Sequence, residues 1–386
     1  MNSFDHFSVL LPNGFEDLLP PDAEQEARAI TILMDHFAGH GYRRVKPPLV
    51  EFEDSLLAPG PGAALASETF RLMDPVSHRM MGVRSDITAQ IARIASSRLF
   101  SEPRPLRLAY ANDILRTRAS QQRTQRQFCQ VGCELIGHDD LLADIEICLM
   151  AVSALKALGL ADITLDLTLP RLTNEIMKLY NLSDAARTQV RAALEKREQD
   201  SLDALDPAPR ESLKALLSAC GPADTALDQL ARMDLPAELR PDIDRLAATC
   251  TALSKALDEL GITDIRITID PVENKGFEYH AGTAFALFAK KARAELGRGG
   301  RYDIVCGQSG DRQSATGFTL YMDTLRGAMP ASKPADTLFV PSTESWATIK
   351  TLRDDGWRVI HGTGQDDRER LQCTHELLNG QIHPIG

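Results

Sequence analysis

The sequence predicts an α+β protein, and three observations carry that expectation. Strand-like segments come in hairpin-spaced pairs between residues 71 and 136. Residues 172–258 are almost wholly helical in pattern, with no strand signal. Residues 337–386 open as strand, helix, strand. The expected organisation is a core of residues 1–171 and 259–326 interrupted by a helical insertion at 172–258. The linker-like stretch "GAMPASKPAD" at 327–336 then leads to a small C-terminal α/β unit at 337–386.

Each element has its own signal. A turn-rich entry precedes a helix with apolar residues at helical spacing from Ala23 to Phe37, and Gly39 and Gly41 are placed to end it. "YRRVKPPLVEF" alternates like a strand, but Pro47 and Pro48 confine that strand to an edge or an interface. "RLMDPVSHRMMGVRSDIT" reads as a hairpin around Asp74 and Pro75 leading into a helix. Residues 105–136 give two strands joined by an arginine-bearing loop. The amphipathic helix "DDLLADIEICLMAVSALKALGL" and the strand "ITLDLTL" come next. Beyond the insertion, strands return at "IRITIDP", "FEYHAGTAFALFA" and "GFTLYM". In the tail, Trp346 and Trp357 are expected as core anchors.

Composition bounds the partners. The chain has 386 residues, 43% of them hydrophobic, and 54 acidic against 43 basic side chains give a net charge of -11. That excess opposes unspecific attraction to nucleic acid or to an anionic membrane, so neither is an expected partner. Seven cysteines, odd in number and without a C-x-x-C pair, read as reduced thiols of a cytoplasmic protein. The N-terminus does not read as a signal peptide, and no apolar run approaches the length of a spanning helix.

The most informative stretch is "ILRTRASQQRTQRQFCQVGCELIG". Strand alternation puts Cys129, Val131, Cys133 and Leu135 on one face, expected in the core, and Gln130, Gly132 and Glu134 on the other. Gly132 is expected to leave room for a ligand group between an amide and a carboxylate, a pairing suited to an ammonium or imidazole. The alternative is a plain sheet face on which Glu134 pairs with Arg116 or Arg126. His280 reads as a packing or hydrogen-bonding residue, and no metal or cofactor site is indicated.

This stretch resembles motif 2 of class II aminoacyl-tRNA synthetases, histidyl-tRNA synthetase in particular. "NGFEDLLPPDA", "GYRRVKPPLVE", "GVRSDITAQIARI", "KGFEYHAGTAFALF", "GRGGRYD" and "TGFTLYMDTL" resemble that family's other motifs, in its order, from Gly14 to Leu325. The resemblance implies a class II synthetase-like antiparallel sheet flanked by helices. It also implies a histidine-binding set of Asp86, Thr88, Arg116, Gln130, Glu134 and Tyr279, with Gly299 and Gly300 letting backbone approach the ligand.

The positions that handle ATP in the family depart from its pattern. Arg118 stands where a glutamate faces adenine, and Lys275 stands where an arginine serves the α-phosphate. Tyr321, Met322, Asp323 and Thr324 stand where the family reads Gly-x-Glu-Arg. The tail is also shorter than the family's anticodon-binding domain. A synthetase-like chain that keeps the amino-acid pocket and loses the ATP site resembles the regulatory subunits of ATP phosphoribosyltransferase. That resemblance implies a non-catalytic role in the first step of histidine biosynthesis. The implied assembly is a homodimer within a hetero-oligomer with the short-form catalytic subunit, and the implied ligand is L-histidine. No acidic pair followed by a Gly/Thr-rich loop, as a phosphoribosyl diphosphate site needs, occurs in the chain. The alternative is a divergent histidyl-tRNA synthetase or another amino-acid adenylating paralogue.

Overall fold

The computed structural model describes residues 10–120, 123–235, 237–273, 279–306, 310–331, 336–362 and 370–385. The chain forms two compact units, Met1–Pro330 and Ala331–Gly386.

Helix α1 (Asp22–Gly39) buries Ala29, Leu33, Met34 and Phe37, the stripe its spacing requires. Gly41 follows at φ +82, the left-handed geometry that glycine reaches without a Cβ clash. The single strand expected at "YRRVKPPLVEF" is two. β1 (Arg43–Arg44) lies on one sheet and β2 (Val50–Phe52) on another, because Pro47 and Pro48 between them have no N–H to give a ladder. Helix α2 (Glu53–Leu56) is followed by the expected hairpin, β3 (Arg71–Met73) with β4 (Met80–Val83), and that hairpin joins β2 in a three-stranded sheet. Helix α3 (Thr88–Ser96) leads to β5 (Leu106–Leu115) and β6 (Gln127–Ile136), which pair antiparallel along their whole length. Asp140 caps α4 (Leu141–Ala157) by accepting from the Leu142 N–H, and β7 (Ile163–Thr168) follows.

The inserted region is helical, with α5 (Pro170–Leu179), α6 (Asp184–Glu195), α7 (Pro207–Ser218), α8 (Ala223–Arg232) and α9 (Arg240–Glu259). It also contains β8 (Gly221–Pro222), a strand the sequence did not signal, which adds to the end of the main sheet. The leucines of these helices share one continuous core with α1, α4 and the sheet. Strands β9 (Ile265–Ile269), β10 (His280–Ala289), β11 (Gly297–Cys306) and β12 (Asp311–Tyr321) then lead to α10 (Met322–Ala328). The segment "GRGGRYD" was not among the expected strands, since glycine weakens a strand in isolation. Here it is the start of β11. A Cβ on Gly297 or Gly299 would stand 2.4 Å from a backbone oxygen of β12, so close strand approach is what demands glycine.

The main sheet has the order β1-β5-β6-β12-β11-β10-β7-β9-β8. It is antiparallel from β5 through β7, with parallel pairs β1/β5 and β7/β9 at its flanks. One face carries the large apolar core. The other carries a smaller cluster with α3, including Ile87, Ile91, Tyr110, Tyr302 and Tyr321, and the polar residues treated below. No helix among the described residues is long and apolar enough to cross a membrane.

A buried ion pair ties the sheet to α4. Arg301 on β11, 5% exposed, reaches the Asp144 carboxylate at 2.8 Å, the carbonyl oxygens of His138 and Asp140, and the hydroxyl of Ser314. Asp144 also accepts from Arg245 of α9. Arg301→Leu removes one donor from a buried carboxylate and from two carbonyls, and is expected to cost about 3 kcal/mol. Urea unfolding monitored by circular dichroism checks the size of that loss.

In the second unit, β13 (Thr337–Pro341), α11 (Trp346–Asp354), β14 (Arg358–Gly362), β15 (His375–Leu378) and β16 (Gln381–Pro384) make a four-stranded sheet of order β14-β13-β15-β16. The β15–β16 hairpin was not expected. Its signal was present, because Asn379 and Gly380 take the two positive φ values of a type I′ turn. Trp357 packs against the small core as expected. Trp346 does not: it opens α11 and is 70% exposed, with its ring edge-on to His361.

Candidate functional site

The opposite-face alternation read from the sequence holds on β6. Cys129, Val131, Cys133 and Leu135 lie in the large core. Gln130 and Glu134 lie on the other face, buried to 0% and 1% exposure. Cross-strand pairing builds a row on that face from Glu134 through Gly317, Gly300 and Ala284 to Thr168. A neighbouring row runs from Tyr110 through Gly132, Thr319 and Arg298 to Ala286.

Glu134 is held by hydroxyls. Its carboxylate accepts from Tyr302 at 2.8 Å and from Tyr110 at 3.4 Å, and Thr88 bonds it as well. Among the described residues no cation pairs with it, so the expected alternative of a pairing with Arg116 or Arg126 is not realised. Burial pushes its pKa up to about 8, and the nearby Asp86 charge adds to the rise while the hydroxyls offset part of it. A partner bringing positive charge would favour the ionised form of this carboxyl.

Asp86 and Gln130 meet further along the face, and Thr88 lies between them and Glu134. Gln130 donates to Asp86 at 2.8 Å and accepts the Ile87 N–H at 3.1 Å, while Asp86 also accepts the Thr88 N–H at 2.9 Å. Arg84 orients this segment. It is 5% exposed and donates to the carbonyls of Pro47, Pro48 and Asp113.

Tyr279 stacks beside His280 with ring centroids 4.2 Å apart and meets Tyr302 edge-on, at the Glu134 end. Arg116 pairs with Glu68 at 3.3 Å and donates to the Ser85 carbonyl.

Three glycines have roles other than those expected. The gap over Gly132 is filled, because a Cβ there would lie 2.6 Å from the Tyr110 hydroxyl and 2.1 Å from the Phe318 carbonyl. Gly299 faces away from the pocket: its missing side chain would meet Phe285 and Phe318 of the large core. Gly300, at φ +151, does face the pocket side, but what approaches it is Ala284 and the His280 ring.

Sequence reasoning missed Tyr110, Tyr302 and Gly317. Tyr302 was legible by alternation two residues past Gly300. Gly317 was not, since its need arises only across strands: a Cβ there would stand 1.8 Å from the Glu134 carboxylate.

Two of the positions expected to lack ATP chemistry, Tyr321 and Asp323, lie in a closed cluster. The Arg123 guanidinium lies 3.8 Å over the Tyr321 ring and 4.6 Å from the Phe128 ring centre, and pairs with Asp323 at 2.7 Å. Both partners of that pair are about nine-tenths buried. Arg118 is exposed, and Lys275 lies outside the described residues. No group of three or more His, Cys, Asp or Glu side chains among the described residues is arranged to hold a metal.

Glu134 also predicts a pH dependence. Its folded pKa lies above its unfolded one, so the folded chain keeps a proton that the unfolded chain has lost. Stability therefore falls as pH rises from about 4.3 towards 8 and levels off beyond. Glu134→Gln is expected to flatten that slope by on the order of 3 kcal/mol, read from urea unfolding between pH 5 and 8.5.

Comparison with known proteins places these features. A family model described as histidyl-tRNA synthetase matches residues 14–325. The chain is 46% identical over 382 residues to an ATP phosphoribosyltransferase regulatory subunit of Rhodospirillum centenum, covering 98% of this chain and 96% of the relative. It is 45% identical over 378 residues to the protein of the same name in Paramagnetospirillum magneticum, at 98% and 97% coverage. Among solved structures, an ATP phosphoribosyltransferase regulatory subunit/histidyl-tRNA synthetase of Bacillus halodurans superposes with a TM-score of 0.79 at 23% identity, covering 95% of this chain and 96% of that one. A histidyl-tRNA synthetase of Nostoc sp. gives 0.75 at 16% identity, at 98% and 97% coverage. At these identities the structures speak to the fold.

Proposed function

Because the chain belongs to the ATP phosphoribosyltransferase regulatory subunits, a family built on the histidyl-tRNA synthetase fold, we propose that it regulates without catalysing. In this reading it acts in the cytoplasm on the first step of histidine biosynthesis. It is required for the activity of a short-form catalytic subunit, which carries the transferase site, and it confers feedback by L-histidine.

The observation that carries the non-catalytic reading is the Arg123–Asp323 pair lying on Tyr321. Where the synthetase pattern has a glycine, Tyr321 supplies a ring, and the chain's own guanidinium covers it. A nucleotide would have to displace a desolvated ion pair to reach that surface. The chain alone is therefore expected to give no pyrophosphate exchange with histidine and ATP, while restoring transferase activity when mixed with the short-form catalytic chain. Exchange at a rate typical of synthetases would overturn the reading in favour of a divergent adenylating enzyme.

The pocket supports L-histidine as the ligand. Asp86 and Gln130 offer acceptors for an ammonium group, and Glu134 with Tyr279 and Tyr302 offers an acceptor and aromatic walls for an imidazole. Glu134→Gln removes the acceptor charge while keeping the size, and is expected to weaken histidine inhibition of the reconstituted complex by roughly 1.5–3 kcal/mol, read as a shift of the inhibition curve. Unchanged inhibition would locate the feedback site elsewhere and leave the regulatory role standing.

The segment bearing Pro47 and Pro48 supports a homodimer. It joins two edge strands, β1 and β2, and with its carbonyls taken by Arg84 and Gln90 it presents the half-exposed Leu49 as apolar surface between them. Sedimentation of the isolated chain is expected to show a dimer, and a monomer independent of concentration would count against it.

A further inference from the structure

We propose that Asn112 is a further ligand-contacting residue of this pocket, donating its side-chain amide to the carboxylate of the bound amino acid. The inference rests on the reading of the pocket as a histidine site. Asn112 stands on β5 directly opposite Gln130 on β6. Tyr110 and Ile114, two residues to either side, belong to the cluster on the Glu134 face, so strand alternation turns Asn112 to the same face. Its residue is 8% exposed, and its amide nitrogen is buried without a hydrogen-bond partner among the described residues.

A buried donor that meets no acceptor forfeits its hydration for nothing, and native folds keep few of them. The neighbouring acceptors take other donors of the chain, and none takes this one. Gln130 takes the Ile87 N–H, the Asp113 carbonyl takes Arg84, and the Asp86 oxygens take Gln130 and the Thr88 N–H. The missing acceptor therefore suits a molecule that enters the pocket.

Strand spacing says which part of that molecule. Gln130 and Glu134 lie four residues apart, about 13 Å along the strand. That spans an amino acid with a polar ring and one hydrogen bond at each end. Glu134 and Tyr302 mark the ring end. At the other end, an ammonium and a carboxylate on one carbon need an acceptor and a donor side by side. Asp86 is the acceptor. Arg116, expected to take the carboxylate, is drawn towards Glu68 and the Ser85 carbonyl. Asn112 is the donor that the chain's own contacts leave unmet.

Calorimetric titration of the full-length chain with L-histidine and with histamine, which keeps the ammonium and imidazole but lacks the carboxylate, tests the assignment. Asn112→Ala is expected to weaken L-histidine binding tenfold or more and to leave histamine binding unchanged. Its melting temperature without ligand should be equal or higher, because an unmet donor has gone. Asn112→Ser serves as the second variant should the alanine form fold poorly. Loss of affinity for both ligands alike, or a lowered melting temperature with L-histidine affinity unchanged, would make Asn112 a structural residue and overturn the proposal. If Glu134→Gln weakens L-histidine binding while Asn112→Ala does not, the pocket reading survives and the Asn112 assignment fails. Absence of L-histidine binding to the unaltered chain would overturn both.

Discussion

The pocket face is organised around Glu134, a carboxyl buried with no counter-ion among the described residues. Glu134 sits across the β6–β12 ladder from Gly317, close enough that any side chain at 317 would collide with it. Its oxygens are met by Tyr302 and Tyr110, from strands on either side. Removing an ionised carboxylate from water is expensive, and hydroxyl donors repay only part of the cost. The cost shows in the raised pKa. Such a group adds nothing to stability at neutral pH, which supports the proposal that it serves a ligand.

The rest of the face follows from keeping that carboxylate in place. Gly132 lets Tyr110 lie flat against the sheet, with its hydroxyl 2.6 Å from Thr319. Gly300 lets the His280 side of β10 close in, and Tyr279 and Tyr302 meet edge-on over the same end. On the opposite face, the Arg301–Asp144 pair fixes β11 against α4, and so fixes the register in which Tyr302, the next residue, points at Glu134. The "GRGGRYD" segment thus does three jobs through alternation: close packing at its glycines, an ion pair on the core face, and a hydroxyl donor on the pocket face.

The two polar halves of this face of the sheet differ in how they are satisfied. The Glu134, Asp86 and Gln130 half keeps polar groups together on one face of the sheet, with Glu134 and Gln130 buried. The Phe128, Tyr321 and Asp323 half is satisfied internally by Arg123. One half is closed by an internal ion pair and the other holds a buried carboxyl met only by hydroxyls, a contrast that supports the proposal of binding without catalysis.

The sequence by itself determined what depends on local pattern. Helix α1, the β3–β4 hairpin, the β5–β6 pair, the helical insertion and the division of β6 into core and pocket faces were legible, because 3.6- and 2-residue periodicities and Gly/Pro punctuation act within a few residues. Motif order made Asp86, Thr88, Gln130, Glu134 and Tyr279 candidates. Only the tertiary structure decided the rest. "YRRVKPPLVEF" divided between two sheets because its halves find different neighbours. β11 is a strand despite its glycines because β10 and β12 approach too closely for side chains. Gly299 turned to the core and Gly300 to the pocket because register sets the face. Trp346 faced outward although its type predicts burial. The needs of Gly132 and Gly317, the hydroxyls that hold Glu134 and the unmet amide of Asn112 all arise between strands distant in sequence, where no local pattern can record them.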